Sequence, residues 1–151
     1  MGAEAKLVEL GITIPEVVPP VAAYQPTARS GNLVFTAGQL PARDGEMLAI
    51  GKLGGEVTEE QGYECARQCA LNALAAVKAE IGSLDDVKRV VKVVVFVAST
   101  PDFTGQPKVA NGASELLGEV FGEAGKHARS AVGVAVLPLD VPVEVEIVVE
   151  V

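Results

Sequence analysis

The sequence predicts an α+β domain in the order ββαβαββ, with helices packed on one face of a mixed sheet. Three observations carry that expectation. The stretch "TEEQGYECARQCALNALAAVKAEIG" reads as a capped helix with one face of small apolar residues. The stretch "VKRVVKVVVFVAS" is rich in β-branched residues and lies between that helix and a second helical pattern. The closing "VPVEVEIVVEV" alternates apolar and acidic residues at the period of a strand.

Taken in order, residues 2–12, "GAEAKLVELGI", suit a short helix that stops near Gly11. The prolines of "IPEVVPP" then make an extended connector. Ser30-Gly31-Asn32 reads as a turn before a strand from Leu33 to about Gln39. Asp44-Gly45 is a hairpin signal, with a short strand expected around Met47 to Ile50 and a loop at "GKLGG". Thr58 and Gln61 form a capping box, and Gly82 is the matching stop. Between them Ala66, Cys69, Ala70, Ala73, Leu74, Val77 and Ile81 recur on one helix face, so close packing on a sheet is expected.

The run Val93 to Ala98 is almost wholly apolar, which predicts a strand covered on both faces. A second helix is expected from about Lys108 to Glu123. The last two strands are expected at Ala128–Leu137 and Val141–Val151, joined as a hairpin through the Pro/Asp turn near Leu139-Asp140. Arg129 heads a strand face otherwise made of Ala131, Gly133 and Ala135. Val132, Val134 and Val136 make the other face apolar too. A sheet that is apolar on both sides but covered by helices on one invites self-association.

Composition narrows the function classes. The 151 residues fit one domain, 49% hydrophobic, with a net charge of −8. That charge, with aromatics at only 4%, speaks against a nucleic-acid binder, which needs clustered cations and stacking platforms. Cys65 and Cys69 sit four apart in the expected helix and read as buried free thiols. The one histidine, His127, has no companion ligands near it in sequence, so no metal is expected, and an exposed loop is its simplest placement. No basic segment followed by an apolar run opens the chain, and no run of about 20 apolar residues occurs. The expectation is a soluble, cytoplasmic protein that does not enter membranes.

Four stretches taken together resemble the RidA family, also called the YjgF family. "HARSAVGVAVLPLDVPVEVEIVV" is similar to its closing signature of Ala-Arg-Ser, an alternating strand, Leu-Pro, and a second alternating strand with two glutamates. "AAYQPTARSGNLVFTAGQLP", "IGSLDDVKRVVKVVVFVASTPDF" and "VANGASELLGEVF" resemble its other segments, in the same order. The match runs from Pro19 to Val151, so residues 1–18 are expected to be an N-terminal extension on a domain of residues 19–151.

The resemblance implies a chorismate-mutase-like fold and a homotrimer with a central barrel and ligand clefts between subunits. It implies hydrolysis of reactive 2-imino and enamino acids to 2-keto acids and ammonia, without metal or cofactor. By position, the family's carboxylate-binding arginine falls on Arg129, its tyrosine on Tyr24, its backbone-amide glycine on Gly38, its helix asparagine on Asn111 and its strand glutamate on Glu144. Two positions depart from the pattern: a serine is replaced by Ala37 and a cysteine by Ala131. Those losses keep open the alternative of a non-catalytic binder of a small carboxylate metabolite; cleavage of RNA, described for other members, fits the acidic charge poorly.

The chemistry suits the residue types. Arg129 can grip a carboxylate with two parallel hydrogen bonds, which lysine cannot imitate. The Gly38 amide permits close backbone approach. Glu144 can orient or deprotonate water, and Tyr24 can close the cleft. In the hairpin register, Glu144 pairs near Ala135, about six residues or on the order of 20 Å from Arg129, so the two are expected to meet only across a subunit interface. Other roles stay open on sequence alone: a pairing of Arg129 with Glu150, an N-cap at Asn111, packing at Tyr24 and a structural Glu144.

Overall fold

The computed structural model describes residues 1–17 and 23–151. The elements run α1 (Ala3–Glu9), β1 (Thr27–Ser30), β2 (Leu33–Thr36), β3 (Ala42–Arg43), β4 (Glu46–Met47), α2 (Glu59–Ile81), β5 (Arg89–Ala98), α3 (Gln106–Phe121), β6 (Ala128–Val134) and β7 (Val143–Glu150). The main sheet has the order β1-β2-β7-β5-β6, and β3-β4 form a separate two-stranded ribbon. β6 is parallel to β5, while β7 is antiparallel to both β5 and β2. The sheet is therefore mixed, as expected.

Helices α2 and α3 lie on one face. Val93, Val95 and Val97 of β5 and Val143, Val145, Ile147 and Val149 of β7 point to them and are buried. The alternation read in the last strand is thus real: odd positions enter the core, even ones stay half-buried on the other face. That open face carries Phe35 and Val132, both more than 40% exposed, beside the half-buried Val94, Phe96 and Val148.

The capping box holds α2 in place. Gln61 N–H donates to Thr58 Oγ1 at 3.1 Å and Thr58 N–H to Gln61 Oε1 at 2.9 Å. Cys65 and Cys69 are buried free thiols, and desolvation pushes Cys65 up to about 11. α3 lies hard against α2 at Gly112, where an added Cβ would come within 2.0 Å of the Tyr63 carbonyl oxygen. Backbone cannot yield there as a flexible side chain would. Gly112→Ala should force the helices apart at a cost of roughly 1–3 kcal/mol, a fall in Tm of about 3–10 °C by thermal unfolding. An unchanged Tm would contradict this close crossing.

Several expectations need correction. The last two strands do not form a hairpin: β5 lies between β6 and β7 and pairs with both. The reason is topological. β5, α3 and β6 form a strand-helix-strand crossover, which delivers β6 parallel beside β5. β6 also ends at Val134 and not at Leu137, and a 3₁₀ turn at Pro138–Asp140 leads to β7. A strand not expected from the sequence, β1, precedes the Gly31-Asn32 turn and pairs with β2, and the strand expected around residues 47–50 is reduced to the short β4 of the separate ribbon. The first predicted strand stops at Thr36, though Gln39 still bridges to Val145. α3 begins two residues earlier than expected, at Gln106, and closes at Phe121.

The N-terminal helix is tied down. Ala3 and Leu7 are buried, and Glu4 accepts from Lys78 Nζ and from the Leu84 amide, both at 3.0 Å. The boundary expected between residues 18 and 19, and the last prolines of the expected connector, lie outside the described residues. Among the described residues no helix is long and apolar enough to cross a membrane.

Candidate functional site

Arg129 lies on β6, opposite Val93 of β5, which in turn faces Ile147 of β7. Those neighbours are core residues, so Arg129 points to the helix-covered side at the sheet edge. There it meets α3. Its Nη1 donates to Asn111 Oδ1 at 2.8 Å and to Ser114 Oγ at 3.2 Å. Asn111 and Ser114 are three apart and share a helix face. Both hydrogens on Nη1 are therefore engaged. Among the described residues Nε and Nη2 have no partner, which leaves the side-on fork of the guanidinium for a planar anion.

This geometry removes two of the open alternatives. Asn111 is no N-cap; Gly105 holds that position, and Asn111 orients the arginine from within the helix. Arg129 does not pair with Glu150, which lies opposite Arg89 and Leu33. Ser114 was not legible as a site residue, although its spacing from Asn111 was a usable signal. His127 is half-buried and bonded, not an exposed loop residue: its ring reaches Ser114 Oγ and the Gly125 carbonyl.

Glu144 belongs to a different place. It sits opposite Phe96, which itself faces Val132, so its side chain is on the open face. Gly38 is beside it. From the Phe35–Val148 pair to the Gln39–Val145 bridge, β2 and its extension advance one residue more than β7 does. This bulge brings Gly38 so close that an added Cβ would lie 2.0 Å from Glu144 Oε2. The open space above Gly38 is what admits the carboxylate. Tyr24 is 56% exposed and precedes Pro26, whose carbonyl accepts from the Ala37 amide at 2.8 Å. Tyr24 thus belongs to the chain that approaches Gly38. Partial burial, and then the neighbouring Glu146 charge, raise the Glu144 carboxyl above the usual glutamate range.

The chain thus builds two half-sets: Arg129 with Asn111 and Ser114 under α3, and Glu144 with Gly38 on the open face, with Tyr24 exposed in the segment that leads into β1. The expected register is corrected here. Arg129 and Glu144 are offset by three residues along β5 and two strand spacings across it, about 14 Å between backbones. An odd offset puts their side chains on opposite faces. Ala131 follows Arg129 on β6 and Ala37 precedes Gly38, so each half carries one of the two departures from the family pattern. A concavity of about 320 Å³ between α1 and the end of α3, lined by Lys6, Asp85 and Glu119, touches neither half. Its lining holds no arginine to offer a planar anion a two-pronged contact, which makes it the weaker candidate.

Comparison with known proteins agrees with this architecture. Residues 4–151 match the family model described as "YjgF/chorismate_mutase-like, putative endoribonuclease". Protein TCP17 of Trypanosoma cruzi is 48% identical over 147 residues, 97% of this chain and 92% of that protein. A 2-iminobutanoate/2-iminopropanoate deaminase of Dermatophagoides farinae is 31% identical over 140 residues, 91% of this chain and 93% of that one. The crystal structure of protein Atu1372 from Agrobacterium tumefaciens superposes with a TM-score of 0.90 at 43% identity, covering 99% of this chain and 91% of that one. With its mixed sheet, its helical face and a match over nearly its whole length, the chain belongs to the RidA (YjgF) family and has its chorismate-mutase-like fold.

Proposed function

We propose that the protein hydrolyses small 2-imino or enamino acids to 2-keto acids and ammonia, in clefts formed between the subunits of a homotrimer. One observation carries the reading: each chain holds an arginine with an open Nε/Nη2 edge, Arg129, and a half-buried glutamate, Glu144, on opposite sides of its sheet. Only two copies can present both to one small ligand. Such an interface joins unlike patches head to tail, and a closed ring is its stable outcome. The exposed Phe35 and Val132 on the open face supply apolar surface for it. A relative that deaminates 2-iminobutanoate and 2-iminopropanoate supports the substrate class.

In this reading Arg129 of one copy holds the substrate carboxylate through Nε–H and Nη2–H. The Gly38 amide and Tyr24 of the next copy position the other end. The protonated imine is electrophilic by itself. Glu144 takes a proton as water adds: a C–O bond forms, and the C=N π pair moves to nitrogen. In the resulting carbinolamine Glu144 returns the proton to nitrogen and the C–N bond breaks, its electron pair leaving with ammonia. The hydroxyl oxygen closes the C=O of the keto acid, and its proton passes through the Glu144 carboxylate to the departing ammonia, which leaves as ammonium. Burial and Glu146 raise the Glu144 pKa, which brings it nearer the working range of a group that must both take and give a proton.

The test generates 2-iminopropanoate in situ and follows pyruvate. Faster pyruvate release with the protein than without it is expected; no acceleration would overturn the enzymatic reading. A second reading, a non-catalytic binder of small 2-keto acids, is favoured by Ala37 and Ala131, which stand where the family pattern has a hydroxyl and a thiol. Pyruvate binding without acceleration would select it. Light scattering should give about three times the chain mass at micromolar concentration. A stable monomer would contradict both the assembly and the shared cleft.

A further inference from the structure

The hydrogen bonds around Arg129 continue past the residues that would touch a ligand. His127 precedes β6 and follows the 3₁₀ turn Gly122–Gly125. Its Nδ1 lies 2.6 Å from the Gly125 carbonyl oxygen, and its Nε2 lies 2.9 Å from Ser114 Oγ. A carbonyl oxygen only accepts, so Nδ1 carries a hydrogen. In the neutral ring Nε2 is then the acceptor. Arg129 only donates, so Ser114 must accept from Nη1 at 3.2 Å. With the ring neutral, the arrangement that satisfies all three groups has the serine hydroxyl donating to His127 Nε2 while a lone pair faces the arginine. A helical serine otherwise tends to donate to the carbonyl one turn back, which at Ser114 would be that of Ala110. His127 draws the hydroxyl away from that alternative.

We infer that His127 is a positioning residue: acting through Ser114, it fixes the guanidinium of Arg129 so that the Nε/Nη2 edge faces the carboxylate of the ligand. The inference rests on the carboxylate-clamp reading for its consequence, but its first link is a property of the ligand-free protein. His127 touches no ligand in this account. It sets the direction of the Ser114 hydroxyl, Ser114 occupies one Nη1 hydrogen, and Asn111 occupies the other.

The test compares His127→Phe, His127→Gln, Ser114→Ala and the double variant His127→Phe/Ser114→Ala in the full-length protein. Phenylalanine keeps a ring of similar size without polar atoms, while the glutamine carbonyl can reach the place of Nε2 as an acceptor. His127→Phe should weaken 2-ketobutyrate binding roughly 10-fold. His127→Gln should stay within about 3-fold of wild type. Because the two residues act in series, the double variant should be no worse than the poorer single one. Additive losses, or a His127→Gln variant as weak as His127→Phe, would overturn the inference. The NMR signal of the Arg129 Nη1 hydrogens, which Asn111 and Ser114 hold and protect from exchange, recorded without ligand, separates this idea from the reading beneath it. Loss of that signal in His127→Phe, its retention in His127→Gln, and no 2-ketobutyrate binding by wild type would uphold the relay and refute the clamp. An unchanged signal in His127→Phe would refute the relay whatever the ligand does.

Discussion

Arg129→Lys should cost roughly 10- to 150-fold in both keto-acid affinity and kcat/KM. The loss follows from geometry, since the charge is kept. Nη1 is committed to Asn111 and Ser114, so the ligand meets only the planar fork of Nε and Nη2. An ammonium cannot offer two parallel donors while also holding Asn111 and Ser114. Losing one charge-assisted hydrogen bond costs roughly 1.5–3 kcal/mol. Calorimetric titration with pyruvate and imine kinetics measure the two quantities. A lysine variant equal to wild type in both would mean that Arg129 contributes charge alone.

Glu144→Gln should leave 2-keto-acid binding nearly intact and slow imine hydrolysis about 10²-fold or more. The amide keeps the shape beside Gly38 and one acceptor oxygen but cannot take a proton. The pH profile carries the same information. As a base Glu144 works ionised, and burial with Glu146 raises its pKa above 4.5, so wild-type kcat should climb with pH through that raised value. Glu144→Gln should lose this limb. Stability should move the other way. Ionising a group whose folded pKa is raised costs the fold, so its contribution is most favourable below the unfolded pKa and is lost as pH rises through the folded one. Glu144→Gln should therefore gain slightly in Tm at neutral pH and lose that gain in acid. Equal hydrolysis by both forms would make Glu144 structural.

What the sequence made legible was local. Thr58 and Gln61 announced α2, and the Val/Glu alternation from Val143 announced β7 with its correct inward face. The family stretches pointed to Arg129, Asn111, Gly38 and Glu144, and the structure brings them together in two pairs. Strand neighbours were misread because Leu-Pro-Leu-Asp looks like a tight turn, while the pairing of β5 with both β6 and β7 is non-local. The strand-helix-strand order from Arg89 to Val134 was the available clue. The misreading had a cost at the site. A hairpin made Arg129 and Glu144 distant along one sheet, whereas the real register makes them nearer but opposite in face. Ser114 escaped notice although it lies one turn after Asn111, and His127 reads as an exposed loop residue because only the turn at Gly125, folding back on α3, brings its ring to Ser114.

The central claim is that every working site takes its clamp from one copy and its base from another. Mixing two inactive chains tests it most directly. Arg129→Ala and Glu144→Gln proteins, each inactive alone, would be co-expressed or refolded together in equal amounts and assayed for pyruvate release from 2-iminopropanoate. If the halves come from neighbouring copies, random mixed trimers place an intact Arg129 against an intact Glu144 in about one site in four. Activity should then return to about a quarter of wild type. If both residues serve the site from one chain, each chain carries a lesion and mixing restores nothing. A mixture as inactive as its components, with trimers shown to have exchanged subunits, would contradict the shared site.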